Sequence, residues 1–214
     1  MTDTALSTLK EADALRADIY RLLASLLRQA PDAELLDWLA GLSIEQDGSR
    51  LAECWQALAE AASATEDGNG KRDADVERLQ RAHFRHLVGV IQGEVVPYAS
   101  WYRNGELMEA ALVALRRDLK ILGFVRSEHT RDPEDHLAAL CEVMAMLIDA
   151  ESSEQAYFFN QHLAPWAASC FADIGQLDTA FYAALGQLGS AFMESEQARL
   201  RVEVGHTPVR IVEP

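Results

Sequence analysis

Apolar residues recur at three- and four-residue spacing along most of the chain, and short polar clusters interrupt them. Leu15, Ile19, Leu22, Leu23, Leu26 and Leu27 trace one face of a first helix, which Pro31 stops. "DAELLDWLAG" predicts a short second helix closed by Gly41, and "SRLAECWQALAEAASA" a third. The polar, glycine-bearing stretch 65–75 predicts a mobile loop. A fourth helix follows, to about His86 or Leu87, and "ELMEAALVALRRDLKILG" predicts a fifth that ends at Gly123. A sixth starts near Asp132. "EQAYFFNQHLAPWAASCFADIG" gives one or two more with a break near Pro165, and "LDTAFYAALGQLGSAFMESEQARL" is the last. Residues 201–214 read as a loose tail and 125–132 as a candidate hinge between helices.

One segment departs from the helical period. Residues 88–105, "VGVIQGEVVPYASWYRNG", are β-branched and aromatic and are broken by Gly89, Gly93, Pro97 and Gly105. A lone strand in a helical chain has nothing to pair with, so the stretch is expected as an extended, partly buried loop. The expectation is all-α: one domain over 1–214, a single bundle of eight or nine helices.

The start of the sixth helix, "RDPEDHLAALCEVMAML", concentrates acids, a proline and a histidine. Asp132 suits the N-cap, Pro133 the first helical position and Asp135 the third. Glu134 and Asp135 would oppose the positive end of the helix dipole. Capping accounts for the acids in this frame but not for His136.

The 214 residues carry a net charge of -15 and 49% are hydrophobic, so a sizeable core can form. The acidic surface repels nucleic acid and anionic lipid and suits a cationic partner, or serves solubility alone. Cys54, Cys141 and Cys170 are far apart, odd in number and set in apolar patterns, so they read as reduced core residues. No apolar run is long enough for a membrane span, and the N-terminus lacks the pattern of a secretory signal. A cytoplasmic location is expected.

Catalytic and metal chemistry find little support. A di-iron bundle needs Glu-x-x-His on two helices, and the one such spacing runs from Glu203 to His206 in the tail. His83 and His86 lack an acid at a matching offset. "GNGKRD" at 68–73 lacks the P-loop spacing and follows no strand, so no cofactor is implied. Three classes stay open: a peptide-binding module, a helical metal-binding or enzymatic protein, and a helix-binding scaffold. The first draws on "VVPYASWYRNG", where Tyr98, Trp101 and Tyr102 surround Ser100 beyond Pro97. Aromatics there and acids at 132–135 would make a groove for a peptide with arginines followed by an apolar run.

At these residues the sequence resembles the TorD/DmsD family of cytosolic chaperones for molybdoenzymes, the redox enzyme maturation proteins. The likeness is carried by "RADIYRLLASLLRQAPDAELL", by "FRHLVGV" with "EVVPYASWYRNGELM", by "DPEDHLAALCEVMAML" and by "FFNQHLAPWAASCFADI". It spans about residues 15–190. It departs from the family pattern at His86-Leu87, Val96 and Tyr98. The resemblance implies an all-helical, non-enzymatic protein, either monomeric or a domain-swapped homodimer. Its partner would be the twin-arginine signal peptide on the apo form of a molybdoenzyme, a reductase of the dimethyl sulfoxide or trimethylamine N-oxide type. Export would be held back until the molybdenum cofactor is inserted. Residue by residue, the leader-binding pocket falls on Pro97, Ser100, Trp101, Tyr102, Pro133, Asp135 and His136. Leu87 and Tyr98 would cover part of the leader's apolar run, with Asp135 drawing its guanidiniums. No metal site is implied. Arg116-Arg117, in mid-helix, cannot be an export signal.

Overall fold

The chain builds α1 (Asp3–Arg28), α2 (Ala33–Ala40), α3 (Arg50–Ser63), α4 (Arg72–His83) and α5 (Ala99–Asn104) in its first half. There follow α6 (Ala110–Ile121), α7 (Leu137–Asp149), α8 (Gln155–Phe158), α9 (Ala167–Ile174) and α10 (Ala180–Arg199). Two single π turns, Phe84–Val88 and Phe159–Leu163, continue α4 and α8. This computed structural model describes residues 3–45, 47–64, 72–89, 92–126 and 132–201. Of the expected loop, hinge and tail, residues 65–71, 127–131 and 202–214 lie outside the described residues.

The all-α expectation holds among the described residues, with ten helices in place of eight or nine. One difference from the sequence reading accounts for the extra helix. The stretch 88–105 is not one extended loop: it begins inside the first π turn and ends in α5. Its Val95 and Val96 are buried in loop backbone, so the β-branched content reflects burial rather than a strand. Pro165 falls between the second π turn and α9, so the expected break is present.

The apolar stripe of α7 fixes the architecture. Leu137, Ala138, Leu140, Cys141, Met144, Leu147 and Ile148 are all buried, and α1 lies along it. On the other side of the core α10 packs against α9 and α3. A Cβ on Gly186 would come within 2.2 Å of the Gly175 backbone nitrogen, so only glycine permits this close crossing of α10 over the end of α9. The first helix turns slightly from its expected face: Leu15 is 61% exposed, while the next residue, Arg16, is buried. Arg16 grips Glu196 of α10 with Nε to Oε1 and Nη2 to Oε2, both 2.7 Å, and the Tyr20 hydroxyl donates to the same carboxylate at 3.1 Å. A buried pair of this geometry specifies how α1 meets α10 more than it adds stability. The three cysteines are free and buried, as their patterns predict.

Each π turn places a histidine inward. His86 offers Nδ1 to Glu94 Oε2 at 2.6 Å and Nε2 to Thr179 Oγ1 at 2.8 Å. The backbone then folds back on this turn, with Val95 N donating to His86 O at 2.9 Å. His162 in the second turn meets Asp118 Oδ2 at 3.0 Å, and Tyr157 donates to the same oxygen at 3.1 Å. These contacts moor α6 to the 155–163 region. Tyr157→Phe removes one bond to a charged acceptor and leaves His162 and Arg117 in place. Urea melts of that variant are expected to show only a small drop in midpoint, because Tyr157 is open to water.

Candidate functional site

The two segments singled out in the sequence, 95–104 and 132–137, meet directly. Leu137 N donates to Pro97 O at 2.8 Å and Ala99 N to Asp135 O at 2.9 Å. Between these bonds Tyr98 and His136 pair as a one-rung antiparallel bridge. Their rings stand edge to face, 4.8 Å apart at 84°. Asp135 completes the junction from its side chain. Its Oδ2 accepts from Ser100 N at 2.9 Å and from the Ser100 hydroxyl at 2.6 Å, with both residues at 0% exposure. The same hydroxyl accepts from Met108 N at 3.1 Å, which holds the left-handed turn (Met108 φ 64°) between α5 and α6.

This geometry corrects the reading of the helix start. Asp132 and Pro133 do not cap α7, and Asp135 is not in its first turn. The helix begins at Leu137, and His136 is its N-cap: backbone φ -63°, ψ 135°, with Nδ1 accepting from Ala138 N at 3.1 Å. Imidazole therefore takes the part usually given to Ser or Asp. Nδ1 must be unprotonated to accept, so the neutral ring carries its proton on Nε2. Burial agrees with this, pushing the His136 pKa down to about 4.

The nine expected site residues divide by accessibility. Leu87, Pro97, Ser100, Asp135 and His136 are buried and form the frame. Tyr98, Tyr102 and Pro133 are half-buried and Trp101 is 37% exposed. Asp135 is sealed in this arrangement, so it braces the junction instead of facing a cationic ligand. The expected single groove is also two clefts with no lining residue in common.

The larger, of about 440 Å³, runs between α6 and α7 and is closed by residues 124–126 and 132–134. Leu119, Phe124, Val125, Pro133, Val143 and Met146 give it an apolar lining, and Val125 is 92% exposed. Two of its three acids, Glu142 and Glu134, are engaged by the chain's own arginines. Arg28 forks onto Glu142 at 2.7 and 2.8 Å, and Arg116 places Nε and Nη2 at 2.9 and 2.8 Å from Glu134 Oε2. Partial burial works to raise the Glu134 carboxyl, and the Arg116 guanidinium outweighs it, so the net shift is downward. The smaller cleft, about 250 Å³, holds Trp101 and Tyr102 with Glu94, Asp173, Gln176 and Leu177. There Tyr102 donates to Asp173 at 2.6 Å, and burial raises its hydroxyl above the ordinary tyrosine range.

Sequence reasoning missed Phe124, Val143 and Met146 as groove residues and took Glu134 only as one of several acids at the helix start. The available signal was the outward spacing of Met146 on a helix whose other apolar residues form a core stripe. It also missed Asp118 and His162, which lie 44 residues apart and meet only through the second π turn. Among the described residues no group of three or more His, Cys, Asp or Glu could hold a metal ion.

A junction of two distant segments inside a helical bundle invites comparison with known proteins. The family model of nitrate reductase delta subunits matches residues 44–172, more than half of the chain. The chain belongs to this family. It is 25% identical to chaperone protein TorD of Shewanella piezotolerans over 88% of this chain and 94% of that one. A second chaperone protein TorD, from Actinobacillus succinogenes, is 30% identical over 36% of this chain and 42% of its own length. A crystal structure described as a redox enzyme maturation protein of Archaeoglobus fulgidus superposes with a TM-score of 0.51 at 16% identity. It covers 84% of this chain and 94% of its own, and it speaks for the fold. The family and relatives make the chain a TorD-type maturation chaperone of redox enzymes, a role without catalysis. Among the described residues no helix of this chaperone is long and apolar enough to cross a membrane.

Proposed function

We propose that this maturation chaperone works in the cytoplasm by binding the twin-arginine signal peptide of a molybdenum-cofactor oxidoreductase. Export is delayed until the cofactor is inserted and the enzyme has folded. The client on this reading is a reductase of the dimethyl sulfoxide or trimethylamine N-oxide type. The observation that carries the proposal is the junction of 95–104 with 132–137 and its two flanking clefts. One has an apolar floor edged by acids and the chain's own basic residues, and the other holds aromatics with acids. Those chemistries match a leader that is cationic and then apolar. The net charge of -15 would speed the encounter at low salt.

On this reading Trp101, Tyr102 and Pro133, which line the clefts, touch the peptide, and half-buried Tyr98 stands beside them on the junction. Leu87, Pro97, Ser100, Asp135 and His136 hold them in position. Calorimetric titration of the purified chaperone with a synthetic twin-arginine leader tests this. Binding is expected, weaker with added salt and weaker by about tenfold in Trp101→Ala, whose exposed ring can be removed without opening the core. A leader that fails to bind the unaltered protein at any salt would sink the reading.

A further inference from the structure

The α6–α7 cleft holds one carboxylate with two guanidiniums of its own chain directed at it. Arg116 contacts Glu134 Oε2 twice, and Arg126 Nη1 lies 4.0 Å from Oε1. Arg126 also donates to the Asp132 carbonyl at 3.3 Å. The Glu134 side chain is 17% exposed and that of Arg116 48%. Glu134 thus faces the cleft, while its neighbour Asp135 is wholly enclosed. The apolar lining of Leu119, Phe124, Val143 and Met146 belongs to the same cleft. A carboxylate that already accepts guanidinium, in one groove with an apolar floor, has the layout of a receptor for an arginine followed by an apolar run.

We propose that Glu134 receives an arginine of the partner peptide and that Arg116 occupies this carboxylate in cis until the peptide displaces it. The inference rests on the leader-binding reading above and adds to it the acceptor and its internal competitor. Exchange of one guanidinium for another on a single carboxylate is close to neutral in charge. The outgoing Arg116 is half-exposed, so its release to water costs little. Net affinity then comes from apolar side chains buried in the groove, and the guanidinium contributes direction: Glu134 fixes which end of the peptide enters. The cis pair also sets a threshold. A peptide that offers lysine or a neutral residue makes a poorer exchange for Arg116's two bonds, so the competitor sharpens selection for arginine. The apparent affinity is the intrinsic affinity multiplied by the fraction of molecules in which Glu134 is already released.

The test is calorimetry with the full chain and a synthetic twin-arginine leader, using the unaltered protein, Glu134→Gln, Arg116→Ala and the double variant. Glu134→Gln is expected to weaken binding about tenfold. Arg116→Ala is expected to tighten it about threefold by removal of the competitor. In the Glu134→Gln background Arg116→Ala should then have no effect. Thermal melts close to that of the parent in all three variants exclude misfolding as the cause, since both side chains sit at the rim. A leader that binds the parent but not more weakly to Glu134→Gln overturns the inference and leaves leader binding standing. Weaker binding in Arg116→Ala overturns it too, by making Arg116 a contact. Weakening by Asp173→Asn with Glu134→Gln unchanged would place the arginine in the Trp101 cleft and overturn it as well. A parent protein that ignores the leader removes the wider reading instead.

Discussion

Asp135→Ala is expected to cost about 4 kcal/mol of stability, the largest effect of any single change considered. The carboxylate is enclosed, and its Oδ2 is the acceptor given to both the Ser100 backbone N–H and the Ser100 hydroxyl. Deletion strands two buried donors, each worth about 1–3 kcal/mol. It also frees the Ser100 hydroxyl that holds Met108 N in a positive-φ turn. For a chain of this size the melting temperature should drop by roughly 8–16 °C. Asp135→Asn preserves one acceptor and should cost about half as much. Because the frame loosens, leader binding should weaken in Asp135→Ala in step with stability, and cooling should restore part of it. A parent-like melt with lost binding would mean that the side chain touches the peptide and that the brace is unimportant.

Acid should weaken the fold through the unusual cap on α7. The His136 pKa lies near 4 in the folded protein, lowered first by burial and held against further descent by Asp132 and Glu142. In the unfolded chain it returns to about 6.5. Over the interval between those values the unfolded state binds a proton that the folded state refuses. The cap's contribution is therefore complete above about pH 6.5 and declines as pH falls toward 4. Linkage puts the loss at about 2 kcal/mol from pH 7 to pH 5, or roughly 4–8 °C in melting temperature. Burial lowers His83 and His162 as well, so they add in the same direction. His136→Asn replaces the cap with one that cannot titrate. Melts near pH 7 and near pH 5 should then lie closer together than in the parent. An equal pH response in parent and variant would remove His136 as the source.

The helices were legible because apolar spacing is local information. Leu23, Leu26 and Leu27 are buried as their spacing predicts. The buried face of α1 slips by one position at Leu15, because Arg16 finds Glu196 from far along the chain. The same cause misplaced the start of α7. Local rules assign Asp132 and Asp135 to a cap, yet Asp135 is claimed by Ser100, 35 residues earlier, and the cap passes to His136. The meeting of the two segments was expected from their chemistry, an aromatic loop and an acidic helix start, and the family resemblance pointed to the same pair; spacing did not require it. Their division into two clefts was illegible, because it depends on how α6 leans against α7 and on which acids the chain's own arginines reach first.

The two π turns bear on how the chain can change length. Each adds one residue to a helical turn, and the surplus is what aims His86 at Glu94 and Thr179, and His162 at Asp118. Excision of a single residue would regularise either helix and swing its histidine by about 100° around the axis, away from those partners. At these two places the count of residues, more than their kind, decides which side chains look inward. An alignment of relatives that lack a wide turn therefore has to open a one-residue gap there before any later position can be compared.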